Sequence, residues 1–219
     1  PSPSLHKQPT TGDERPLSRA NLKPEIVRTA AICFAKNGVD ATSMDQVAQE
    51  MGASKGKVYH HFNSKGELLL AVRKQSILSV LTRVKPIADT PAPTTERFLA
   101  MARAHVMGIL ADLPYHRVVV ENLRAGLRAD LPTHERDLQD DIKSMQARYE
   151  DLFRDVITAG QKDTSFVQQS VSVTVNSVIV LLNAPIFWYQ PRPDDTEATH
   201  IEIADLIARM ALGTITTRE

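Results

Sequence analysis

Residues 42–65 read TSMDQVAQEMGASKGKVYHHFNSK, and the reading of this stretch decides the fold. Ser43 with Gln46 three residues on has the spacing of a capping box, in which side chain and backbone satisfy each other at a helix start. Met44, Val47, Ala48 and Met51 fall at i, i+3, i+4 and i+7, which gives that helix one apolar face. Gly52 supplies the left-handed residue that ends it. Ser54 is placed to cap a second helix carrying Lys55, Lys57, Tyr59 and His60, and Phe62 follows as an apolar anchor. Ser64 and Glu67 repeat the capping-box spacing at the start of a further helix. A helix, a glycine turn and a short helix bearing two lysines and a tyrosine form the pattern of a DNA-binding helix-turn-helix. The same two-helix pattern occurs in proteins that never touch DNA, so the finer detail has to decide.

That detail lies in residues 39–72, VDATSMDQVAQEMGASKGKVYHHFNSKGELLLAV. The Thr-Ser start, the Gly-Ala-Ser-Lys-Gly run, Tyr-His-His-Phe and Ser-Lys-x-Glu-Leu-Leu together resemble the N-terminal domain of the tetracycline-repressor (TetR) family. The resemblance covers about Pro24 to Val72. It implies an all-α chain of about nine helices, with a three-helix DNA-binding domain and a C-terminal helical domain for ligand binding and dimerisation. The expected boundaries are a flexible tail over 1–18, the DNA-binding domain over 19–66 and the second domain over 67–219.

Composition fits this expectation. The chain has 219 residues, 42% hydrophobic and 24% charged, as in an ordinary globular protein. The formal net charge of zero hides an asymmetry. Residues 19–75 hold nine Lys or Arg against five acids, and residues 76–219 hold fifteen against nineteen. The basic end therefore coincides with the helix-turn-helix, as an electrostatic footprint on phosphate requires. A lone cysteine, Cys33, gives no disulfide framework and fits a reducing, cytoplasmic setting. The segment from Thr164 to Pro191 has no charge, but Gln, Ser, Thr and Asn interrupt it, which argues for a buried helix over a membrane span.

Taken in order, the first helix is expected over Lys23 to Asn37, with Ile26, Ala30, Cys33 and Phe34 inward and Gly38 as its stop. The fourth runs from Lys65 to Lys85 and is ended by Pro86. The fifth spans Glu96 to Ala111, Pro114 breaks the chain, and the sixth covers Tyr115 to Ala125. The seventh runs from Thr133 to Ala159, before Gly160. Val171, Val173 and Val175 alternate like a strand, but Val171, Val175, Val178, Ile179, Leu182 and Ile186 satisfy a helix equally well. No strand partner is near, so a helix kinked at Pro185 is expected. The last helix spans Thr196 to Thr214. In the tail, Arg15 and Arg19 could reach a minor groove, although an idle tail is the simpler reading.

Enzyme chemistry finds no support: there is no nucleophile elbow, phosphate-binding glycine loop or dinucleotide fingerprint. Of the seven histidines, His60 and His61 are adjacent and point apart on a helix, and His105, His116, His134 and His200 have no i+3 or i+4 partner of ligand type apart from acids on exposed faces, so no metal or other cofactor is expected. DNA contacts are expected from Thr42, Ser43, Ser54, Lys55, Gly56, Lys57, Tyr59, His60 and Lys65. Lysine serves guanine edges and phosphates alike, and the backbone contacts of Tyr59 and His60 come from the resemblance.

The resemblance further implies a homodimer through the last two long helices, here Val171, Val175, Val178, Leu182, Ile203, Ile207 and Met210. It also implies a small-molecule pocket, with Phe98, Met101, His105, Leu123, Tyr149, Phe153, Asn176, Asn183 and Phe187 as candidate walls. The Leu-Asn…Trp-Tyr-x-Pro ending after residue 182 looks like that of family members answering to fatty-acyl or sterol-derived CoA thioesters. A ligand-responsive repressor of palindromic operator DNA is therefore expected, with a largely apolar effector. The alternatives are a constitutive DNA binder, or a helical ligand-binding or enzymatic protein with a structural helix-turn-helix.

Overall fold

A computed structural model describes residues 22–122 and 132–217. Among these residues the chain is all helical, with no strand. The helices are α1 (Leu22–Asn37), α2 (Met44–Glu50), α3 (Lys55–His61), α4 (Lys65–Ala88), α5 (Thr94–Ala111), α6 (Leu113–Glu121), α7 (Thr133–Lys162), α8 (Val171–Leu182), α9 (Pro185–Trp188) and α10 (Glu197–Gly213). Leaving out the single turn α9, the described residues form nine longer helices. The tail arginines Arg15 and Arg19, and Leu123 to Ala125 of the expected sixth helix, lie outside the described residues.

Two glycines shape the head. Gly38 (φ 83°) ends α1 and Gly52 (φ 63°) ends α2, both in the left-handed region that a Cβ disfavours. After α2 the Gly52 N–H reaches the Gln49 carbonyl and the Ala53 N–H the Ala48 carbonyl, at 3.0 and 2.9 Å. This pair of bonds is a Schellman stop, and it turns the chain directly into α3. The head core gathers Ile26, Ala30, Phe34, Val47, Ala48, Val58 and Phe62. It is completed from outside by Leu68 and Val72 of α4 and by Tyr115 and Val118 of α6. Three short helices bury too little to stand alone, so the head is fastened to the body along α4 and α6.

In the body, α5 packs against α4, α7 and α10. Its Phe98, Met101, Ala102, His105 and Ile109 are all buried, as their helical spacing requires. The Phe98 ring meets Phe153 and Phe166 edge-on, with centroids 6.3 and 5.7 Å apart, the favoured aromatic geometry. α8 is a helix, with Val175, Val178 and Leu182 turned into this core.

Four expected helix boundaries are corrected. Pro86 lies inside α4. It withholds only the bond to Thr82, while Asp89 N–H to Lys85 and Thr90 N–H to Ile87 complete the last turn. Pro114 starts α6 instead of breaking the chain, because its missing N–H is not needed in a first turn. Pro185 does not kink α8: the helix stops at Leu182, and Pro185 opens the separate turn α9.

Gly160 is no stop either. It lies within α7, where a Cβ would overlap the buried Phe166 ring, with Cγ at 2.6 Å. Gly160→Ala should therefore overpack this core, at about 1–3 kcal/mol. For a chain of this size that lowers Tm by about 2–4 °C per kcal/mol. Gly213→Ala is the control, since its Cβ meets nothing within 4 Å. Thermal melts of both variants check the assignment, and equal melts would refute it.

Candidate nucleic-acid interface and effector cavity

The face built by α2, α3 and the start of α4 presents most of the expected DNA contacts. Ser43 and Gln46 form the complete capping box: Ser43 Oγ accepts the Gln46 N–H at 3.2 Å, and Gln46 Oε1 accepts the Ser43 N–H at 2.7 Å. The Ser43 hydroxyl proton remains available to a phosphate. Val58 and Phe62 plug α3 into the head core, which turns the other side of this short helix outward. Ser54, Lys55, Gly56, Lys57, Tyr59 and His60 are all exposed there. The Ser54 side chain makes no cap bond. A Cβ on Gly56 would meet nothing within 4 Å, so no protein neighbour blocks a close approach. Among the described residues the Lys57 ammonium has no partner, and Tyr59 is 48% exposed.

A groove of about 410 Å³ joins the starts of α2 and α4 to the end of α3. Ser43, Tyr59, Asn63 and Lys65 line it, brought together from separate elements. The groove gathers hydroxyl, amide and ammonium donors, with the acid Asp40 also on its wall.

Three expected contacts are placed differently. Thr42 is 1% exposed, and its hydroxyl donates to the Gly38 carbonyl at 2.8 Å, so it fixes the turn between α1 and α2. Its hydroxyl is not available to DNA. Lys55, itself exposed, is ion-paired with Asp45 of α2. Lys65 donates to the carbonyls of Val39 and Asp40 at 2.8 and 3.3 Å, stapling α4 to the preceding turn. Lysine has three donors, so one remains for a phosphate in the groove.

The start of α4 also carries a link that no local pattern reveals. Ser64 Oγ accepts the Glu67 N–H at 2.9 Å and donates to Glu135 Oε1 at 2.6 Å. Glu135, in the first turn of α7, is buried, and its carboxylate fills the space where Gly66 lacks a Cβ. The second capping box is thus only half formed, because Glu67 turns to the backbone N–H and side chain of Asn63. The body thereby grips the end of α4 that borders this groove.

Between α4, α5, α6, α7 and α8 lies a cavity of about 270 Å³. Of the expected wall residues, His105, Tyr149 and Asn183 line it. His105 bridges the other two: Nδ1 meets the Tyr149 hydroxyl, and Nε2 meets Asn183 Oδ1 at 3.0 Å. A second buried imidazole, His116, is held between Ser76 and Ser79 at 2.9 and 3.1 Å. Burial pushes His105 down to about 4 and His116 to about 3, so both are neutral near pH 7. The other expected walls fall elsewhere. Phe98, Met101 and Phe153 are consumed in the core beside the cavity, and Asn176 and Phe187 face outward. Leu123 lies outside the described residues.

The expected dimer residues divide in the same way. Val175, Val178, Leu182 and Ile207 are buried in the subunit's own core, with Val171 and Ile203 partly buried against it. A partner could not reach those four without opening the fold. The apolar surface that does remain is concentrated nearby. Of nine exposed large hydrophobic residues among the described residues, seven lie on α8, α9 and α10: Val173, Val180, Phe187, Trp188, Ile201, Leu206 and Met210. The window Val171–Trp188 passes a length-and-hydropathy test for a membrane span, with mean hydropathy 1.7. Yet α8 has twelve residues and the helix breaks before Pro185. At 1.5 Å per residue it reaches about 18 Å, short of the ~30 Å hydrocarbon layer.

Comparison with known proteins matches these two parts separately. Residues 26–72 fit the model for bacterial regulatory proteins of the tetR family. Residues 91–215, more than half the chain, fit the tetracyclin repressor-like C-terminal domain. The chain belongs to the TetR family. Among TetR relatives, it is 24% identical to the HTH-type transcriptional repressor KstR2 of Mycolicibacterium smegmatis, over 81% of this chain and 84% of that protein. The fold is shared with the ketosteroid transcriptional regulator KstR2 of Mycobacterium tuberculosis, at TM-score 0.75 and 22% identity, over 93% and 98% of the two chains. It is shared as well with AibR in complex with isovaleryl coenzyme A and operator DNA, at TM-score 0.69 and 20% identity, over 91% and 98%.

Proposed function

We propose that this TetR-family protein is a ligand-responsive transcriptional repressor. It grips a palindromic operator as a homodimer and leaves it when a largely apolar small molecule enters the body. The carrying observation is the shared helix α4. Its first turn closes the DNA-facing groove with Lys65, and further along it lines the cavity with Ser76, Ile77 and Val80. A ligand that presses on the second part moves the first. α7 supplies a parallel route, since it lines the cavity through Tyr149 and holds Ser64 through Glu135.

The dimer assigns the exposed apolar face of α8–α10 to a symmetric bundle with the partner. Two α3 helices then meet successive major grooves, about 35 Å apart. The repressor sense follows the KstR2 relative, and the cytoplasm is the compartment of the DNA. An acyl-CoA or a related intermediate of lipid breakdown is the favoured effector class, in line with the coenzyme A ester in the AibR complex.

The test is a selection of bound sequences from random DNA, followed by titration of the winner with and without effector candidates. A palindrome should emerge, with affinity falling steeply in salt because phosphate contacts release counterions. An inducer should weaken DNA binding by about 5–150-fold, and operator DNA should weaken inducer binding by the same factor. Recovery of no preferred sequence would refute the reading as a sequence-specific regulator.

A further inference from the structure

The effector cavity has a rim that differs in kind from its floor. The floor is buried and uncharged: Val80, Ile109 and Ile186, with the neutral side chains of His105, His116 and Tyr149. The rim is Arg73 of α4 facing Gln146 and Glu150 of α7. Glu150 is occupied by Gln146, whose Nε2 donates to its Oε1 at 3.0 Å. Arg73 is half-buried, yet among the described residues it has no hydrogen bond, ion pair or ring partner. Partial burial lowers its pKa, and the one acid on the rim, Glu150, is engaged by Gln146 and makes no pair with it. A guanidinium carries five donors in a planar fork suited to carboxylate or phosphate. Its fork still reaches solvent but is matched by no group among the described residues, so an anion arriving at the rim would meet unpaired donors in a partly desolvated setting.

We propose that Arg73 is the recognition residue for the anionic head of an amphipathic effector, whose apolar body fills the cavity between α4 and α8. The proposal rests on the ligand-responsive reading above and adds the ligand's chemistry. The head is a carboxylate or a phosphate, and the body is small. The cavity of about 270 Å³ sets the scale of that body. Arg73 is also two turns from Lys65, about 12 Å along one continuous helix. Capturing the anion therefore loads the element that closes the DNA-facing groove.

Decanoate, decyl phosphate and decan-1-ol share one tail and separate the two head chemistries from an uncharged control. Their binding to the full chain is measured by calorimetry for wild type, Arg73→Met and Arg73→Lys. For wild type, at least one of the two anions should bind ~10-fold or more tighter than the alcohol, the effect of a charge-assisted hydrogen-bonded pair. The anion that wins names the head group. In Arg73→Met that preference should vanish while the alcohol binds as before, and Arg73→Lys should keep part of it. Equal binding of anion and alcohol by wild type would overturn the role of Arg73 and leave a ligand cavity standing. An anion preference that survives in Arg73→Met would overturn it too. If none of the three binds, this proposal falls, whereas the ligand-responsive reading falls only if acyl-CoA esters fail to bind as well. The wild-type comparison needs no variant, so a misfolded Arg73→Met would not rescue the idea.

Discussion

Replacing Lys57 and Tyr59 together by alanine is expected to lower operator affinity by ~100-fold or more without changing the melting temperature. Both side chains are exposed on α3, and Lys57 has no partner among the described residues, so their removal takes nothing from the head core. Surface substitutions of this kind usually stay within about 0.5 kcal/mol in stability. A lost base contact costs about 1–3 kcal/mol, and a symmetric dimer loses each contact twice. The single variants separate the roles. If Lys57 reads a base edge, Lys57→Ala flattens the sequence preference; if it holds phosphate, binding weakens on all sequences and the salt slope falls.

Lys65→Ala should behave differently from both. It removes a phosphate contact and also releases the carbonyls of Val39 and Asp40, so weaker binding should come with a lower Tm. Fluorescence anisotropy on the selected operator, with parallel thermal melts, measures all of these. Operator affinity equal to wild type in the Lys57/Tyr59 double variant would remove α3 as the recognition helix.

A charge on the exposed apolar face should separate the subunits while leaving each one folded. Val180→Asp and Leu206→Asp are the sharpest choices, at 67% and 55% exposure. Buried between two subunits, an unpaired carboxylate is strongly destabilising; on a free subunit it meets water. Sedimentation should show soluble monomers. Operator affinity should fall by about 10²–10⁴-fold, because the second half-site contact is no longer intramolecular. Val178→Asp and Ile207→Asp provide the contrast. These residues are 1% and 5% exposed in the subunit's own core, so the same charge should yield unfolded or insoluble protein. Val178 and Val180 stand two positions apart on α8 and should fail in opposite ways. Soluble dimers from both exposed-face variants would place the interface elsewhere.

The division of α8 shows what sequence alone carries and what it does not. Helical periodicity located the helix, and a helix has two sides. Val175, Val178 and Leu182 satisfy the apolar pattern because the subunit buries them. Val173 and Val180 are just as apolar and point outward. Hydrophobicity records that a side chain avoids water, but not which neighbour shields it, so the two faces cannot be assigned before the helices are packed. The same limit explains the expected walls Phe98, Met101 and Phe153, which went to core packing. It also explains Pro86 and Pro114, whose effect depends on where in a turn each proline falls.

What the sequence determined by itself is local. The Ser43–Gln46 capping box, the Gly52 stop and the apolar face of α2 involve residues within a few positions of one another, so their geometry follows from backbone dihedrals and short hydrogen bonds. The exposed outer face of α3 follows as the complement of the residues that anchor it. Tertiary structure decided everything that joins distant positions: Lys55 to Asp45, Thr42 to the end of α1, Ser64 to Glu135 across 71 residues, and His105 between Tyr149 and Asn183. These pairings determine which polar groups are already satisfied and which, like the side chains of Lys57 and Arg73, have no partner among the described residues. Satisfaction is a property of the packed chain, because a polar group finds its partner only when two elements are brought together.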